Sequence, residues 1–450
     1  MKTIYIFLVT LLLITTACED LDQYPPNIAS SDALTEFEGV LNAAYYYQLG
    51  TTTPIAVMSE FRSDNALMDE APYTEFDEYD NGLTAMEDQF FGPYYTALYK
   101  SILTANSVIE NSSDATEVGE AKFLRGLSYF KLVKVFGDVT VNLSSEPSLT
   151  DKSILVRQPA ADVYNDVIIP DLTDAIAALD AEIEDGRASK YAAQGMLGKV
   201  YMQMGNFSSA ATELAAVING ADAAGISLKE NFDEIFGAAN EVENSEIIFS
   251  TQISSSIKDE YAFASRFWNW YVGDDPKADY PVDPDLVAAF DAVANDTLVG
   301  GDLRRAVTLH PEGKTAVKFP KEGGLGAEHD WIELRLADVI LLYAEALNEN
   351  TDSEAAREAA LDLLDPIRTR AGLTVLDHTV LNTQALVRQA IADERRLELA
   401  FEGQRWFDLV RTGTAQSEMG VSFDNKYYLF PVPVSEILAT DGVITQNDGY

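Results

Sequence analysis

Apolar residues recur at three- and four-residue intervals along most of this chain, and this helical periodicity constrains its fold more than any other feature. The pattern predicts helices over residues 36–49, 89–109, 117–136, 160–179, 190–204, 208–218, 333–348, 355–371 and 385–402. Strand-like patches are few and short, at 246–250 and 428–430. The chain is therefore predicted to be all-α, meaning mainly α-helical, with Gly- and Pro-rich loops near 273–284 and 310–326.

One pair of these helices carries a repeat signature. Gly198, Tyr201, Gly205, Phe207 and Ala210 keep the spacing of a tetratricopeptide helix pair. Small residues at 198 and 210 let two helices approach closely, and the aromatic rings fill the space around them. We predict such a pair at about 190–220 and a looser one at about 333–371, where an unrelated antiparallel pair is the alternative.

The N-terminus is typical of a secretory signal peptide. Lys2 precedes an apolar run over 4–14, which is shorter than the roughly 20 residues that span a bilayer. Small residues follow, and then Cys18, the only cysteine, which cannot form an internal disulfide. Its position resembles the lipid-modified cysteine of a bacterial lipoprotein. We predict a signal peptide over 1–17, an acidic tether over 18–29 after lipidated Cys18, and one domain over 30–450. A general signal peptide with an incidental cysteine is the alternative.

Charge narrows the set of ligands. The chain has 73 Asp and Glu against 31 Lys and Arg, a net charge of −42. This balance argues against nucleic-acid binding, because phosphate contacts need lysines and arginines, and against a basic membrane-binding surface. A polyanionic ligand would be repelled unless a local basic site or a bound cation intervened. The composition therefore favours a neutral ligand.

Motifs for catalysis are missing from the sequence. The three histidines, His310, His329 and His378, have no metal-ligand spacing, and there is no Gly-x-Ser-x-Gly elbow. The acidic stretch at 274–285 lacks the ordered spacing of a calcium loop. We predict a binding protein with no cofactor, no metal site and no catalytic residues. A glycosidase pair of carboxylates stays open, because acidic residues are so abundant.

Several blocks of the chain closely resemble the signature of the SusD/RagB family of nutrient-binding lipoproteins of Bacteroidetes. They read DERRLELAFEGQRWFDL at 393–409, PVPVSEI at 431–437, QNDGY at 446–450, RLADVILLYAEA at 335–346, FLRG at 123–126 and FGD at 136–138. Gln404 and Asp448 depart from the usual His and Pro. Within the first block, Glu394, Arg395 and Glu398 stand among apolar residues. This arrangement favours semi-buried ion pairs over a catalytic carboxylate pair.

The resemblance implies both a fold and a partner. The fold is a scaffold of tetratricopeptide-like helix pairs with irregular ligand-binding loops on one side. Family members sit as a lid over a SusC-like TonB-dependent transporter in the outer membrane and deliver ligand to it without cleaving it. The acidic residues after Cys18 resemble a surface-export signal, with a plain solvated tether as the alternative. The implied ligand is an oligosaccharide, and a peptide, as in the RagB-like branch, is the alternative.

Two regions outside the helical pattern combine aromatic and polar side chains, as sugar recognition requires. Trp268 and Trp270 would point the same way in an extended segment and form one stacking platform. Packing beneath a loop, as a small satellite core, is the alternative. The candidate ligand-binding residues are Trp268, Asn269, Trp270, Tyr271 and Tyr280 in the first region, and Asp64, Asn65, Tyr73, Phe76 and Tyr79 in the second.

Overall fold

The helical periodicity is realised as a series of packed helices in a computed structural model, which describes residues 36–68, 70–148, 150–184, 186–241, 244–253, 282–293, 301–319 and 329–450. The helices are α1 Glu38–Glu60, α2 Gly92–Asn111, α3 Ala115–Phe136, α4 Ile169–Ala178, α5 Lys190–Gln203, α6 Phe207–Gly220, α7 Pro284–Ala292, α8 Leu303–Thr308, α9 Leu336–Asn350, α10 Glu354–Arg370, α11 Gln384–Glu398, α12 Arg405–Thr412 and α13 Val434–Ala439. The prediction of a mainly α-helical fold is confirmed.

Shorter elements fill the connections. Single turns of α-helix are Glu75–Glu78, Ala160–Val163 and Ala415–Glu418, and π-helical turns are Glu87–Phe91 and Tyr164–Ile168. The 3₁₀ turns are Asn81–Met86, Lys152–Leu155, Asp222–Ala224, Phe232–Glu234, Ala238–Asn240 and Asn425–Tyr428. Two antiparallel strand pairs complete the described part: β1 Val139–Thr140 with β2 Arg157–Gln158, and β3 Ile247–Thr251 with β4 Trp331–Arg335.

Neighbouring helices pack in chain order, so the fold grows as a layered array. Each of α1 to α5 packs on the next helix, α6 packs on α9, and α9 packs on both α10 and α11. Residues Glu38–Tyr450 belong to one compact unit. No helix in the described ranges has the length and apolar content needed to cross a bilayer.

Both predicted helix pairs are present as packed helices. In the α5–α6 pair, a Cβ added at Gly198 would lie 2.6 Å from Leu214 Cδ2, so the two helices meet at van der Waals distance there. Ala210 is fully buried beside them. Gly205 has a φ of +70° in the turn, a left-handed conformation that favours glycine. The small residues of the repeat signature therefore set how closely the two helices approach.

Three predicted assignments are wrong. Tertiary contacts explain the first two, because they outweigh the local apolar spacing of the sequence. Helix α1 continues to Glu60 instead of stopping near 49, because its second half is buried and Thr51 and Thr52 bond back to carbonyls one turn earlier. Residues 333–335 belong to β4, which pairs with β3. Residues 428–430 contain the end of a 3₁₀ turn and no strand.

A buried ion network ties the C-terminal helices to the strand pair. Five cations face five carboxylates, so the network is balanced in formal charge. They are Arg304, Lys318, Arg335, Arg368 and Arg370 against Glu246, Asp302, Glu394, Glu398 and Glu402. Burial alone would raise the pKa of Glu398, but the guanidinium groups around it bring that pKa well below its usual value. This part of the chain therefore contains paired structural charges.

Candidate ligand-binding cleft

The first predicted site region lies outside the described residues. Trp268, Asn269, Trp270, Tyr271 and Tyr280 all fall in the segment 254–281. The structure does show how both flanks of that segment are held. The described residues on its two sides end at Ile253 and resume at Val282.

Hydrogen bonds from backbone amides hold both flanks. At the end of β3, the Ile253 amide donates to Asp330 Oδ1 at 2.7 Å. On the other side, Val282 pairs with Ala66 in an isolated antiparallel bridge, and the Asp283 amide donates to the Asn65 carbonyl at 3.0 Å. The described chain therefore resumes, at Val282, directly beside the second predicted region.

The second predicted region is interior, which corrects the expectation of a ligand surface there. Tyr73, Phe76 and Tyr79 are 3%, 0% and 8% exposed. Phe76 packs on Phe61, Phe90, Phe91 and Phe430, and Tyr79 stacks on Phe423 at 4.0 Å. Burial of large aromatic rings contributes much of the free energy of folding, and these three rings are part of the hydrophobic core.

The polar members of that region are also committed to the fold. Asp64 accepts two hydrogen bonds of 2.7 Å from Arg405, and Asn65 donates to Glu60 at 2.8 Å. Both side chains are buried. They hold the turn after α1 against the C-terminal helices.

A cleft of about 360 Å³ opens beside the other flank of the segment, next to the end of β3. Its described walls come from the first half of α1, the loop before α5 and the last residues of β3. They are Asn42, Tyr45, Tyr46, Gln48, Leu49, Gly186, Arg187, Phe249, Ser250, Thr251 and Gln252. We call this the tyrosine cleft.

The mouth of the tyrosine cleft combines ring faces with amide and guanidinium groups. Asn42 and Gln252 are exposed, whereas Tyr45, Tyr46 and Arg187 are half-buried. Such a set offers an apolar face for a sugar ring together with donors and acceptors for its hydroxyl groups. No carboxylate is among the described lining residues. The chemistry suits an uncharged, hydroxyl-rich ligand.

Arg187 fixes the loop that forms one wall. Its guanidinium donates to Asn42 Oδ1 at 2.7 Å and to Glu120 Oε1 at 2.9 Å, and it lies 4.9 Å from the centre of the Tyr45 ring. Tyr45 donates a short hydrogen bond to Glu120 and accepts one from the Ala188 amide. Burial, and then the Glu120 carboxylate, raise the pKa of Tyr45 well above its usual value, so the hydroxyl stays protonated and remains a donor.

The floor of the cleft is a hydrogen-bonded polar network. Gln48 donates to Ser101 at 2.9 Å and to Ser128 at 2.8 Å, and accepts from Lys131. Lys131 in turn pairs with Glu333 of β4 at 2.5 Å. Because buried polar groups are costly unless they are paired, this network holds α1, α3 and β4 in fixed relative positions beneath the cleft.

Sequence reasoning missed the tyrosine cleft because its tyrosines lie within a predicted helix and its other walls come from residues distant in sequence. Three tyrosines in succession, 45 to 47, are the available signal, since all three cannot face the core of a helix. No sequence pattern marks Arg187 as a cleft residue, because its hydrogen-bond partners are 67 and 145 residues away in sequence.

Two surface groups of described residues have the composition of a metal site. They are Glu75 with Glu78 and Asp80, and Asp362 with Asp365 and His378. None of these side chains is fully buried, and exposed acidic groups of this kind are common on an acidic protein. No residue of either group lines the tyrosine cleft.

Comparison with known proteins identifies the fold and its relatives. A family model described as the SusD family matches residues 304–450, and one described as starch-binding associating with outer membrane matches residues 18–202. SusD-like protein P2 of Formosa agariphila is 27% identical, with an alignment that covers 100% of both chains.

Solved structures agree with these matches. A SusD superfamily protein from Parabacteroides distasonis superposes with a TM-score of 0.76 at 19% identity, covering 94% of this chain and 100% of the other. A laminarin-binding SusD-like protein superposes with a TM-score of 0.69 at 25% identity, covering 93% of this chain and 99% of the other. With its layered helix pairs and the two family matches toward its ends, the chain belongs to the SusD-like family.

Proposed function

We propose that this protein is a lipid-anchored, glycan-binding protein of the outer-membrane surface, which captures an oligosaccharide and delivers it to a SusC-like TonB-dependent transporter. The observation that carries the proposal is the tyrosine cleft, where half-buried rings lie beside amides and a guanidinium. The laminarin-binding relative supports a glycan as the ligand class.

Charge supports a neutral glycan over an anionic one. Among the described residues, the exposed cations are Lys152, Lys314 and Arg388, whereas exposed carboxylates are far more numerous. A polyanionic chain approaching such a surface is repelled over roughly a Debye length, about 8 Å at physiological ionic strength. A peptide remains the second candidate, favoured by the backbone-like amide chemistry of Asn42 and Gln252 at the cleft mouth.

Binding without cleavage fits the described lining of the tyrosine cleft. Glycoside hydrolysis requires two carboxyl groups flanking the scissile bond, at separations of about 5–10 Å. Glu120, a carboxylate behind the wall, is bound to the lining residues Tyr45 and Arg187. We therefore expect no reducing ends to appear when the protein is incubated with its ligand.

The test is calorimetric titration with a panel of neutral and uronic-acid oligosaccharides. The ligand that binds best is then titrated into alanine variants of the cleft residues. Tyr46→Ala removes a cleft ring, and Tyr47→Ala is its matched control, because Tyr47 is the next residue but is not part of the lining. We expect Tyr46→Ala to weaken binding up to roughly tenfold, since aromatic contacts contribute about 0.5–1.5 kcal/mol.

The tryptophans are tested in the same titration. Trp268→Ala or Trp270→Ala should each weaken binding up to roughly tenfold and the double variant should nearly abolish it, by the same stacking argument. Unchanged affinity together with a large drop in melting temperature would assign both rings to packing. No binding of any neutral oligosaccharide, with a peptide bound instead, would favour the second candidate.

A further inference from the structure

A second cleft, of about 200 Å³, lies between the C-terminal signature helices and the α5–α6 pair. Its walls are the turn between α5 and α6, the end of α9, the exposed side of α11, and α12 with the residues that follow it. We call it the ion-paired cleft, because Arg388, Arg395, Arg396, Arg405 and Arg411 line it together with Glu345, Glu349, Asp393, Asp408 and Glu418. Its formal charge is therefore balanced, in a chain whose net charge is −42.

The deeper charges of the cleft already have partners. Arg411 binds both oxygens of Glu345, and its Nε donates to Asp408 at 2.8 Å. Arg395 donates to the other oxygen of Asp408 at 2.8 Å. These side chains are mostly buried, so the pairs are fixed parts of the wall. A ligand that required its own counter-charge would have to compete with them.

The rim keeps unused hydrogen-bonding capacity. Arg388, with a side chain 44% exposed, binds Glu349 through Nε and Nη2, which leaves its Nη1 without a hydrogen bond to any described residue. Arg396 and Arg405 likewise make no Nη1 hydrogen bond within the described part of the chain. The carboxylates retain lone pairs, since each oxygen can accept more than one hydrogen bond.

An apolar wall lies beside these groups. Met202, Phe207, Ile391 and Leu409 line the same cleft, and the Phe207 ring is only half-buried. An apolar wall next to paired donors and acceptors complements a sugar ring. The wall can contact the C–H face, and the polar groups can bind the hydroxyl groups.

We propose that the ion-paired cleft binds one neutral sugar unit and forms a second glycan contact, separate from the tyrosine cleft. Each hydroxyl can accept from an unused guanidinium N–H and donate to a carboxylate, so the ligand joins the existing pairs without breaking them. An anion would meet Glu345, Glu349, Asp393 and Glu418, and a zwitterion would have to displace the paired charges. This inference rests on the proposed glycan-binding function.

Two contacts on one chain give a functional gain for long ligands. A glycan long enough to span both clefts would meet the second one at a high effective concentration, which raises avidity beyond that of either site. Short oligosaccharides should instead occupy the two clefts independently.

The experiment is calorimetric titration with the short neutral oligosaccharide that binds best in the panel above, with stoichiometry as the main readout. Ala392→Trp fills the ion-paired cleft, and Arg388→Gln removes the rim donor. Arg357→Gln is the matched control. Arg357 lies on α10 and forms an ion pair with Asp352, but it does not line the cleft. We expect two sites per chain in the parent and in Arg357→Gln, and one in Ala392→Trp. Arg388→Gln should weaken the second site about tenfold.

The outcomes separate this inference from the proposed function. One site per chain in the parent, weakened by Tyr46→Ala and unaffected by Arg388→Gln, would overturn the second contact and leave the proposed function standing. Binding of a uronate or a dipeptide in place of the neutral sugar, sensitive to Arg388→Gln, would overturn the assigned ligand class. No glycan binding at either cleft would overturn both. Arg388→Gln keeps the test valid if Ala392→Trp fails to fold.

Discussion

Glu60, the last residue of α1, is a buried carboxyl group that ties three parts of the chain together. It accepts hydrogen bonds from Asn65 Nδ2 at 2.8 Å, from the Gly403 amide at 3.0 Å and from the Phe401 amide at 3.3 Å. Phe401 and Gly403 both have positive φ, so the carboxyl group supports a strained turn. Burial raises the pKa of Glu60 to about 7, although these hydrogen bonds lower it in part.

This raised pKa predicts a specific dependence of stability on pH. Between the ordinary carboxyl pKa and about 7, the folded state holds more protons at Glu60 than the unfolded state does. Its stabilising contribution is therefore complete below the unfolded pKa and is lost as pH rises through about 7. The free energy of unfolding should fall by about 3 kcal/mol between pH 5 and pH 8 from this group. Urea titrations of the parent and Glu60→Gln at both pH values would measure this.

The control is Glu358→Gln, the same isosteric change at an exposed position of α10. The parent-minus-variant difference should change with pH for Glu60→Gln and stay flat for Glu358→Gln. A flat difference for both would show that Glu60 is ionised in the folded protein at pH 5. Asp77, whose pKa burial also raises to about 7, contributes in the same direction and remains in every variant.

Sequence reasoning failed most at the scale of single side chains. Tyr73, Phe76 and Tyr79 read as a surface group because they fall between helices, yet they lie in the core. Helical periodicity says nothing about residues outside helices, and only tertiary contacts decide which aromatic rings are covered. The lining of the tyrosine cleft was missed for the related reason that it combines residues far apart in sequence.

Helices and their pairing could be predicted from the sequence far better than the positions of single side chains. The predicted 190–204 and 208–218 correspond to α5 and α6 within a few residues, because propensity, periodicity and the glycine of the turn agree. Strand β4 was missed because Trp331–Arg335 continues the apolar spacing of α9. Its buried charges are paired with residues distant in sequence, Arg335 within the ion network and Glu333 with Lys131. Pairing of distant charges leaves no local pattern.

At the α5–α6 contact we predict that Gly198→Ala destabilises the protein, although alanine favours helices by about 1 kcal/mol over glycine. The new Cβ would lie 2.6 Å from Leu214 Cδ2, and overpacking of this kind costs typically about 1–3 kcal/mol. In a Leu214→Ala background the methyl group has room, so Gly198→Ala should cost less there. A double-mutant cycle by urea denaturation measures the coupling.

Gly39→Ala is the matched control, because Gly39 lies in α1 with no atom within 4 Å of the added Cβ. It should leave stability unchanged or raise it slightly. Additive effects of Gly198→Ala and Leu214→Ala would show that the two helices do not meet at this point.

For the whole molecule, the proposed anchor and partner predict one fractionation experiment. Cys18→Ala removes the proposed site of lipidation, which follows the apolar run at 4–14. In mildly solubilised outer membranes, the parent should co-purify with a much larger TonB-dependent barrel, through an interface of roughly 2,000 Å² or more for a lasting assembly. The variant should appear in the soluble fraction, because acyl chains supply the membrane affinity.

Circular dichroism provides the control, since the fold of the variant should be unchanged. Membrane retention of Cys18→Ala with palmitate still incorporated would contradict the lipoprotein assignment. A parent protein that stays monomeric under every mild condition would instead favour a free-standing surface scavenger.

The interior placement of many of the positive charges has a further consequence, for cleavage by proteases. Trypsin-like enzymes cut after lysine and arginine, and the unfolded chain offers 31 such residues. In the described part of the folded chain, the exposed ones are Lys152, Lys314 and Arg388, and two of these are held in ion pairs. Cleavage at the buried described sites requires at least local opening, so the rate of tryptic cleavage at those sites reports how often the fold opens there.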